Sequence, residues 1–353
     1  MTARERVLAC LAGGKPDEVP MRDAPLSWTL KRWEKEGMRP GGFPGDFFEN
    51  CIDGTGLDIK DKNSALEILE DDGRSRITRS PDGTITRSFP CSNSTPHVLE
   101  YGIKNRTDWE RFTATREPPI DASLLDKKAL AWMKDIGEQK QTWCCQCVTG
   151  LFYSTCIVGM ENALTLMIEN PDWIKTMADH AAERIIQNIE IVKRQGVRLD
   201  GIYYDDDMAF KNGPMFSPAL FKKLFKPGMM HIFNYVHGWG GHVFMHTDGF
   251  INPLLPDLVE AGIDIIDPME VKAGVDLAEL KEKFGRKIVW EGNIDAMKLY
   301  YGTKADIEEE VCRKLSLFPD GGYIYRLDGP ISEEASYDNY RWLIDCVHRY
   351  GKY

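Results

Sequence analysis

From about residue 142 to the C-terminus, short apolar runs alternate with longer stretches whose apolar positions recur every three to four residues. The runs predict strands over Trp143–Val148, Ile202–Tyr204, His242–Met245, Ile263–Ile266, Ile288–Trp290 and Tyr323–Tyr325. The periodic stretches predict the helices between them. One opens at Asn170 as N-cap with Pro171 at the first helical position and closes near Gly196. The next is capped by Ser217–Pro218, and others cover Ile251–Ala261, Leu277–Phe284, Ala305–Leu317 and Tyr337–His348. Six strand–helix units follow one another in this way. Val19–Met21 adds an earlier strand, and Leu57–Ile59 supplies an eighth.

Apolar strands that alternate strictly with helices form a parallel sheet covered by helices. Eight such units close into a (β/α)8 barrel of TIM type, expected here as a single domain over residues 1–353. An open doubly wound sheet is the competing architecture, but no glycine-rich turn follows the first strand. Before the barrel rhythm sets in, the pattern is different. Thr2 and Glu5 form a capping box for an N-terminal helix carrying Val7, Leu8 and Leu11. Residues 27–55 read as irregular and partly helical. Residues 74–89 alternate apolar and polar on both sides of Pro81-Asp82-Gly83, which predicts an inserted β-hairpin. A short helix is expected from Thr107 and a longer one over residues 121–138.

Composition narrows the function classes. The 353 residues are 42% hydrophobic and 28% charged, ordinary for a globular protein. A net charge of -11 argues against a general nucleic-acid or membrane-surface binder. No apolar run has membrane-spanning length, and the N-terminus lacks an apolar signal region. Nine cysteines, an odd number, read as reduced thiols and a cytoplasmic protein. Cys144, Cys145 and Cys147 lack a second pair at zinc-ribbon spacing, so they read as small buried thiols.

Catalytic residues of such barrels lie at the carboxyl ends of the strands. Those ends carry Asp23, Asp205, Asp206, Asp207, His246, Asp248, Asp267, Glu270, Glu291 and Asp328. The expected mouth is therefore acidic, with Arg22 and Arg326 as basic exceptions. Strand-end carboxylates also cap helices. So many at one rim, however, repel one another unless a cation or protons offset them. His246 and Asp248, two apart at a strand end, point the same way. They either share a metal ion or form an acid/base couple. Tyr203, Tyr204, Trp239, Trp290, Tyr323 and Tyr325 lie near the rim as core residues or as stacking surfaces for a ligand.

Several stretches resemble the uroporphyrinogen decarboxylase superfamily. They are Arg4–Val7 with Lys15–Pro20, Tyr204–Asp207, Ser217–Phe221, Pro227, His246–Gly249, Glu260–Asp264 and Trp290–Asp295. The resemblance implies the barrel fold and one of two chemistries. Decarboxylases of a tetrapyrrole with eight carboxylates carry an Arg-Gln-Ala-Gly-Arg motif after the first strand and a His-Gly-Ile type motif after the last. Here those places read Met21–Pro25 and Leu327–Ile331, with one arginine and no histidine. The other branch transfers methyl groups with a corrinoid protein, and its thiol-methylating members hold zinc with a His-x-Cys pair and a later Cys. Here the pair is His246 and Asp248, and the later place is near Asp328. Oxygen ligands leave a metal a harder Lewis acid, suited to polarising an ether or alcohol oxygen.

The resemblance thus implies demethylation of a small methylated compound, such as a methoxylated aromatic, with a corrinoid-binding protein as partner. A quaternary-ammonium methyl donor fits the acidic rim too. Zinc is the expected metal, on His246, Asp248, Glu291 and Asp328. Asp205, Asp206, Asp207 and Glu270 are the expected catalytic carboxylates. Arg22, Tyr204, Trp290 and Arg326 are expected to touch substrate. A homodimer is left open. The alternatives are a metal-free lyase acting on a small acid held by Arg22, and a non-catalytic binding protein.

Overall fold

The computed structural model describes residues 1–43, 47–57, 66–89, 95–115, 117–136 and 141–353. Seven strands pair side by side in a parallel sheet. Their order is Ile52–Gly56, Trp143–Thr149, Gly201–Asp205, His242–His246, Ile265–Asp267, Val289–Glu291 and Tyr323–Ile324. Spatial order equals chain order, so the sheet curls round on itself. Residues 20–22 fill the eighth position. The Tyr325 N–H donates to the Pro20 carbonyl at 2.8 Å, and the Arg22 N–H donates to the Tyr325 carbonyl at 3.0 Å. On the other side the Cys51 N–H donates to the Met21 carbonyl at 2.8 Å. These bonds join the last strand to the second, and the chain is a TIM-type barrel as its alternation implied.

The second strand is Ile52–Gly56; of the expected strand Leu57–Ile59, residues 58 and 59 lie outside the described residues. Two glycines and two polar residues among its five explain why no apolar run marked it. Residues 27–55 also hold a regular helix, Ser27–Lys35, whose Thr29 and Trp33 are buried. The helix expected over residues 121–138 is a short 3-10 turn, Ala122–Leu124, followed by Lys127–Asp135. The hairpin is the middle of a four-stranded antiparallel sheet, Glu67–Asp71, Arg76–Arg79, Ile85–Ser88 and His97–Glu100. Pro171 opens the 24-residue helix Pro171–Arg194 as expected, but the Asn170 side chain makes no capping bond. The helix expected from Ile251 begins at Leu255.

Period-two alternation sorts the strand residues. Ile202, Tyr204, Val243, Met245, Ile266 and Trp290 face outward into the main core beneath the helices. Trp143, Cys145, Tyr203, Phe244, Ile265, Val289 and Ile324 face inward. Ala3, Val7 and Cys10 of the capped N-terminal helix Ala3–Leu11 pack against this inner set and plug one end of the barrel. The other end stays open to function. There the register aligns Thr149 with Asp205, Asp205 with His246, and His246 with Asp267. Four successive strands thus place these side chains in one ring.

The eight cysteines among the described residues are free thiols. Among the described residues no single helix is long and apolar enough to cross a membrane.

Candidate active site at the barrel mouth

His246 lies at the centre of the ring. Its Nδ1 is 3.2 Å from Asp267 Oδ1, and its Nε2 faces Asp207 Oδ1 at 3.7 Å and Asp248 Oδ1 at 3.8 Å. The imidazole stacks on the Tyr203 ring with centroids 5.7 Å apart. Burial pushes its pKa down, against the pull of Asp248 and the other carboxylates. A neutral imidazole with Nδ1–H donated to a carboxylate leaves the Nε2 lone pair free. This carboxylate–histidine arrangement is the usual support of a metal-binding histidine.

Asp205, Asp207 and His246 offer ligand atoms that all lie within 4.8 Å of one another. Among the described residues this is the one such set of His, Cys, Asp and Glu, and it omits Asp248, Glu291 and Asp328. Asp248 stands beside it, half exposed. Burial raises the pKa of both Asp205 and Asp248. Asp207 is held by the Tyr153 hydroxyl and by the Asp248 backbone N–H at 2.8 Å.

Glu291 is fully buried, with Oε1 2.9 Å from Arg22 and 3.5 Å from Arg326. Burial pushes its pKa up to about 7, against the pull of Arg22. Asp267 pairs with both arginines as well, Arg22 at 3.4 Å, and accepts from the Tyr203 hydroxyl at 3.4 Å. Arg22 lies over the Tyr203 and Phe244 rings, its guanidinium carbon 4.6 and 4.9 Å from their centroids. Burial and the neighbouring Arg22 lower the Arg326 pKa to about 10. The mouth is therefore not a plain acidic rim. Two embedded arginines neutralise its two deepest carboxylates, and Glu291 meets these cations rather than His246.

Several expected site residues serve the scaffold. Asp328 is buried and accepts from the backbone N–H groups of Val271 and Ala296, at 2.8 and 2.9 Å. It ties two loops together instead of joining a metal. Asp206 is fully buried and accepts from the Phe152 and Tyr153 N–H groups at 3.1 and 2.9 Å, with the Tyr204 hydroxyl at 3.3 Å. It caps the turn Leu151–Thr155, and burial raises its pKa to about 7. The reason is alternation: Asp205 and Asp207 face the mouth, and the residue between them faces away. Tyr204 and Trp290 are outward and fully buried, packed on Phe233 and Phe284, so neither reaches a substrate in the mouth. Glu270 accepts from the Gly249 N–H at 2.9 Å and pairs with Lys272 at 2.9 Å, which fixes the turn after His246. Gly249 has φ +87°, and a Cβ there would sit 2.7 Å from the Ala209 carbonyl, so only glycine suits this turn.

Sequence reasoning left Asp267 and Tyr153 out of the site. Asp267 was visible as a strand end, but nothing in the sequence marks it as the partner of His246 Nδ1. Tyr153 lies on a loop, and its contact with Asp207 comes only from the fold.

The model of the uroporphyrinogen decarboxylase (URO-D) family matches residues 133–350, which carry the mouth residues described above except Arg22. The chain belongs to this family. Curated URO-D relatives match locally. The uroporphyrinogen decarboxylase of Vesicomyosocius okutanii is 38% identical over 79 residues, 22% of this chain and 23% of that one. That of Actinobacillus succinogenes is 33% identical over 99 residues, 28% of this chain and 27% of that one. The chain thus spans about a quarter of the length of these relatives. Over the whole length, this URO-D family fold resembles a methyltransferase from Methanosarcina mazei. The TM-score is 0.68 at 17% identity, with 99% of both chains covered.

Proposed function

We propose that this URO-D family member is a methyltransferase. It takes a methyl group from a small methylated substrate, such as a methoxylated aromatic, and delivers it to a corrinoid carried by a partner protein. The observation that carries the reading is the Asp205–Asp207–His246 set with Asp267 behind His246. Two carboxylates and one neutral imidazole within ligand distance fit a divalent cation such as zinc. Once bound, such a metal would supply Lewis acidity to polarise the oxygen that loses the methyl group. Asp267 orients the imidazole, and Tyr153 and the Asp248 N–H orient Asp207. Loss of the methyl group leaves an oxyanion that takes up a proton. Asp248, which stands beside that set and whose carboxyl group burial makes less acidic, is placed to give it.

The alternative of a lyase acting on a small acid needs a free arginine for the substrate carboxylate. Arg22 and Arg326 already share Asp267 and Glu291, which speaks against it. The test is methyl transfer to reduced cobalamin from anisole-type and betaine-type donors, together with metal analysis of the purified protein. The reading expects transfer from one donor class, and about one metal per chain that is lost in His246→Ala. No transfer from either class, with decarboxylation of an added acid instead, would reverse it.

A further inference from the structure

A cavity of about 370 Å³ lies beside the mouth, between the strand Trp143–Thr149 and the helix Pro171–Arg194. We propose that it binds a small uncharged aromatic molecule, a single ring with a neutral oxygen substituent. This deepens the methyltransferase reading, and it rests on that reading only for what happens to the ligand after binding.

The size comes first. An apolar cavity of about 150 Å³ accepts benzene, and ligand pockets start near 300 Å³. The space here therefore suits one substituted ring and is too small for a tetrapyrrole. The walls come next. Trp109, Phe112, Ile157, Met177, Ala181 and Ile185 give it an apolar lining. Met177, Ala181, Ile185 and Asn188 follow one another at helical spacing, so one stripe of the long helix lines this space where the helix packs on the outside of the barrel.

The polar end is closed on itself. Glu117 is 2.8 Å from His180 Nε2 and 3.0 Å from Arg184 Nε, and Arg184 also donates to the Pro118 carbonyl at 2.7 Å. The Arg184 charge is already matched by Glu117, so among the described lining residues a charged ligand meets no unpaired counter-ion and would lose its hydration. The Ser154 hydroxyl already donates to the Gly150 carbonyl at 2.8 Å, so the Thr149 hydroxyl is the one left to donate to a neutral oxygen.

The position ties the cavity to the chemistry. Thr149 pairs with Asp205 in register, and the Gly150 N–H donates to the Asp205 carbonyl at 2.7 Å. Tyr153 reaches Asp207, while the next residue, Ser154, lines the cavity. Residues 149–154 are therefore a shared wall. A ring seated here presents its oxygen substituent at Thr149, the lining residue in register with the carboxylate cluster.

The test is calorimetric titration of the full chain with anisole, phenol, benzoate and glycine betaine. Anisole and phenol should bind, and benzoate and betaine should bind at least tenfold more weakly. Ala181→Phe and, separately, Ile157→Phe project into the cavity and should each lower anisole affinity at least tenfold, with thermal unfolding confirming that the variants fold. His246→Ala should bind anisole as the parent does. Unchanged anisole binding in both folded variants, or its loss in His246→Ala, overturns the proposal. Anisole binding without any methyl transfer would retain this site and remove the assigned reaction.

Discussion

Asp267→Asn is the sharpest probe of the site. The substitution keeps the shape of the side chain and removes its charge. Two consequences follow from the contacts. At His246, a carboxylate accepts from Nδ1–H; the asparagine amide can instead donate to Nδ1, which moves the ring proton to Nε2 and blocks the lone pair that faces Asp207. Loss of such a partner behind a ligating histidine typically weakens metal binding about 10- to 100-fold. At the arginines, Asp267 and Glu291 together balance Arg22 and Arg326. Without Asp267 two guanidiniums share one carboxylate whose own pKa is raised to about 7. Breaking a buried pair costs about 3–5 kcal/mol. Both arginine side chains keep some solvent contact, 19% and 22% exposed, which puts the expected loss near about 3 kcal/mol. Chelator-competition titration with zinc reads the first effect and urea unfolding the second. A folded Asp267→Asn protein with parental zinc affinity would refute the assigned role of Asp267, and with it the orientation of His246.

Three further outcomes are expected. Asp328→Ala should lower stability by about 2 kcal/mol, since two backbone N–H groups lose their acceptor, and should leave metal content unchanged; metal loss would return Asp328 to the ligand set. Asp206 has a folded pKa near 7, above its ordinary 3.8, so the native state binds this proton more tightly and its contribution to stability is lost as pH rises through about 7. Relative to Asp206→Asn, the parent should therefore lose about 3 kcal/mol between roughly pH 5 and 8 in urea unfolding, and parallel pH profiles would contradict this. Tyr153→Phe should cost about 1 kcal/mol of stability and several-fold in zinc affinity by freeing Asp207, with equal affinity speaking against a role for Asp207.

The barrel was legible because most of its strands are apolar runs between amphipathic helices, a pattern that parallel sheets require on both faces. The exception shows the limit. Ile52–Gly56 reads Ile-Asp-Gly-Thr-Gly, with glycine at two of five positions, and Gly54 packs against Cys145, where a Cβ would meet the Cys145 carbonyl at 2.5 Å. Its membership is set by that close approach, not by its own hydrophobicity. The site was legible in part. His246 and Asp248 face the same side, as period two requires, and Arg22 and Arg326 do enter the mouth. Asp328 and Glu270 were indistinguishable from catalytic carboxylates in sequence, because a carboxylate that caps a backbone N–H and one that meets a substrate occupy the same strand ends.

The run Asp205-Asp206-Asp207 joins these observations. Alternation sends Asp205 and Asp207 into the mouth and Asp206 into the scaffold, where it caps Leu151–Thr155. That turn carries Tyr153 back to Asp207. The buried carboxylate therefore positions the residue that positions its neighbour. The same logic bears on Asp248, at the place where the sequence resemblance implies a cysteine in thiol-methylating enzymes. With Asp248 at the edge of the cluster, the donors nearest His246 Nε2 come from the preceding strand, and they are oxygens. An all-oxygen set around one imidazole favours a hard Lewis acid over a thiolate-binding zinc. In the proposed reaction that preference would direct the chemistry towards an oxygen leaving group, the same group that the Thr149 end of the adjoining cavity would hold.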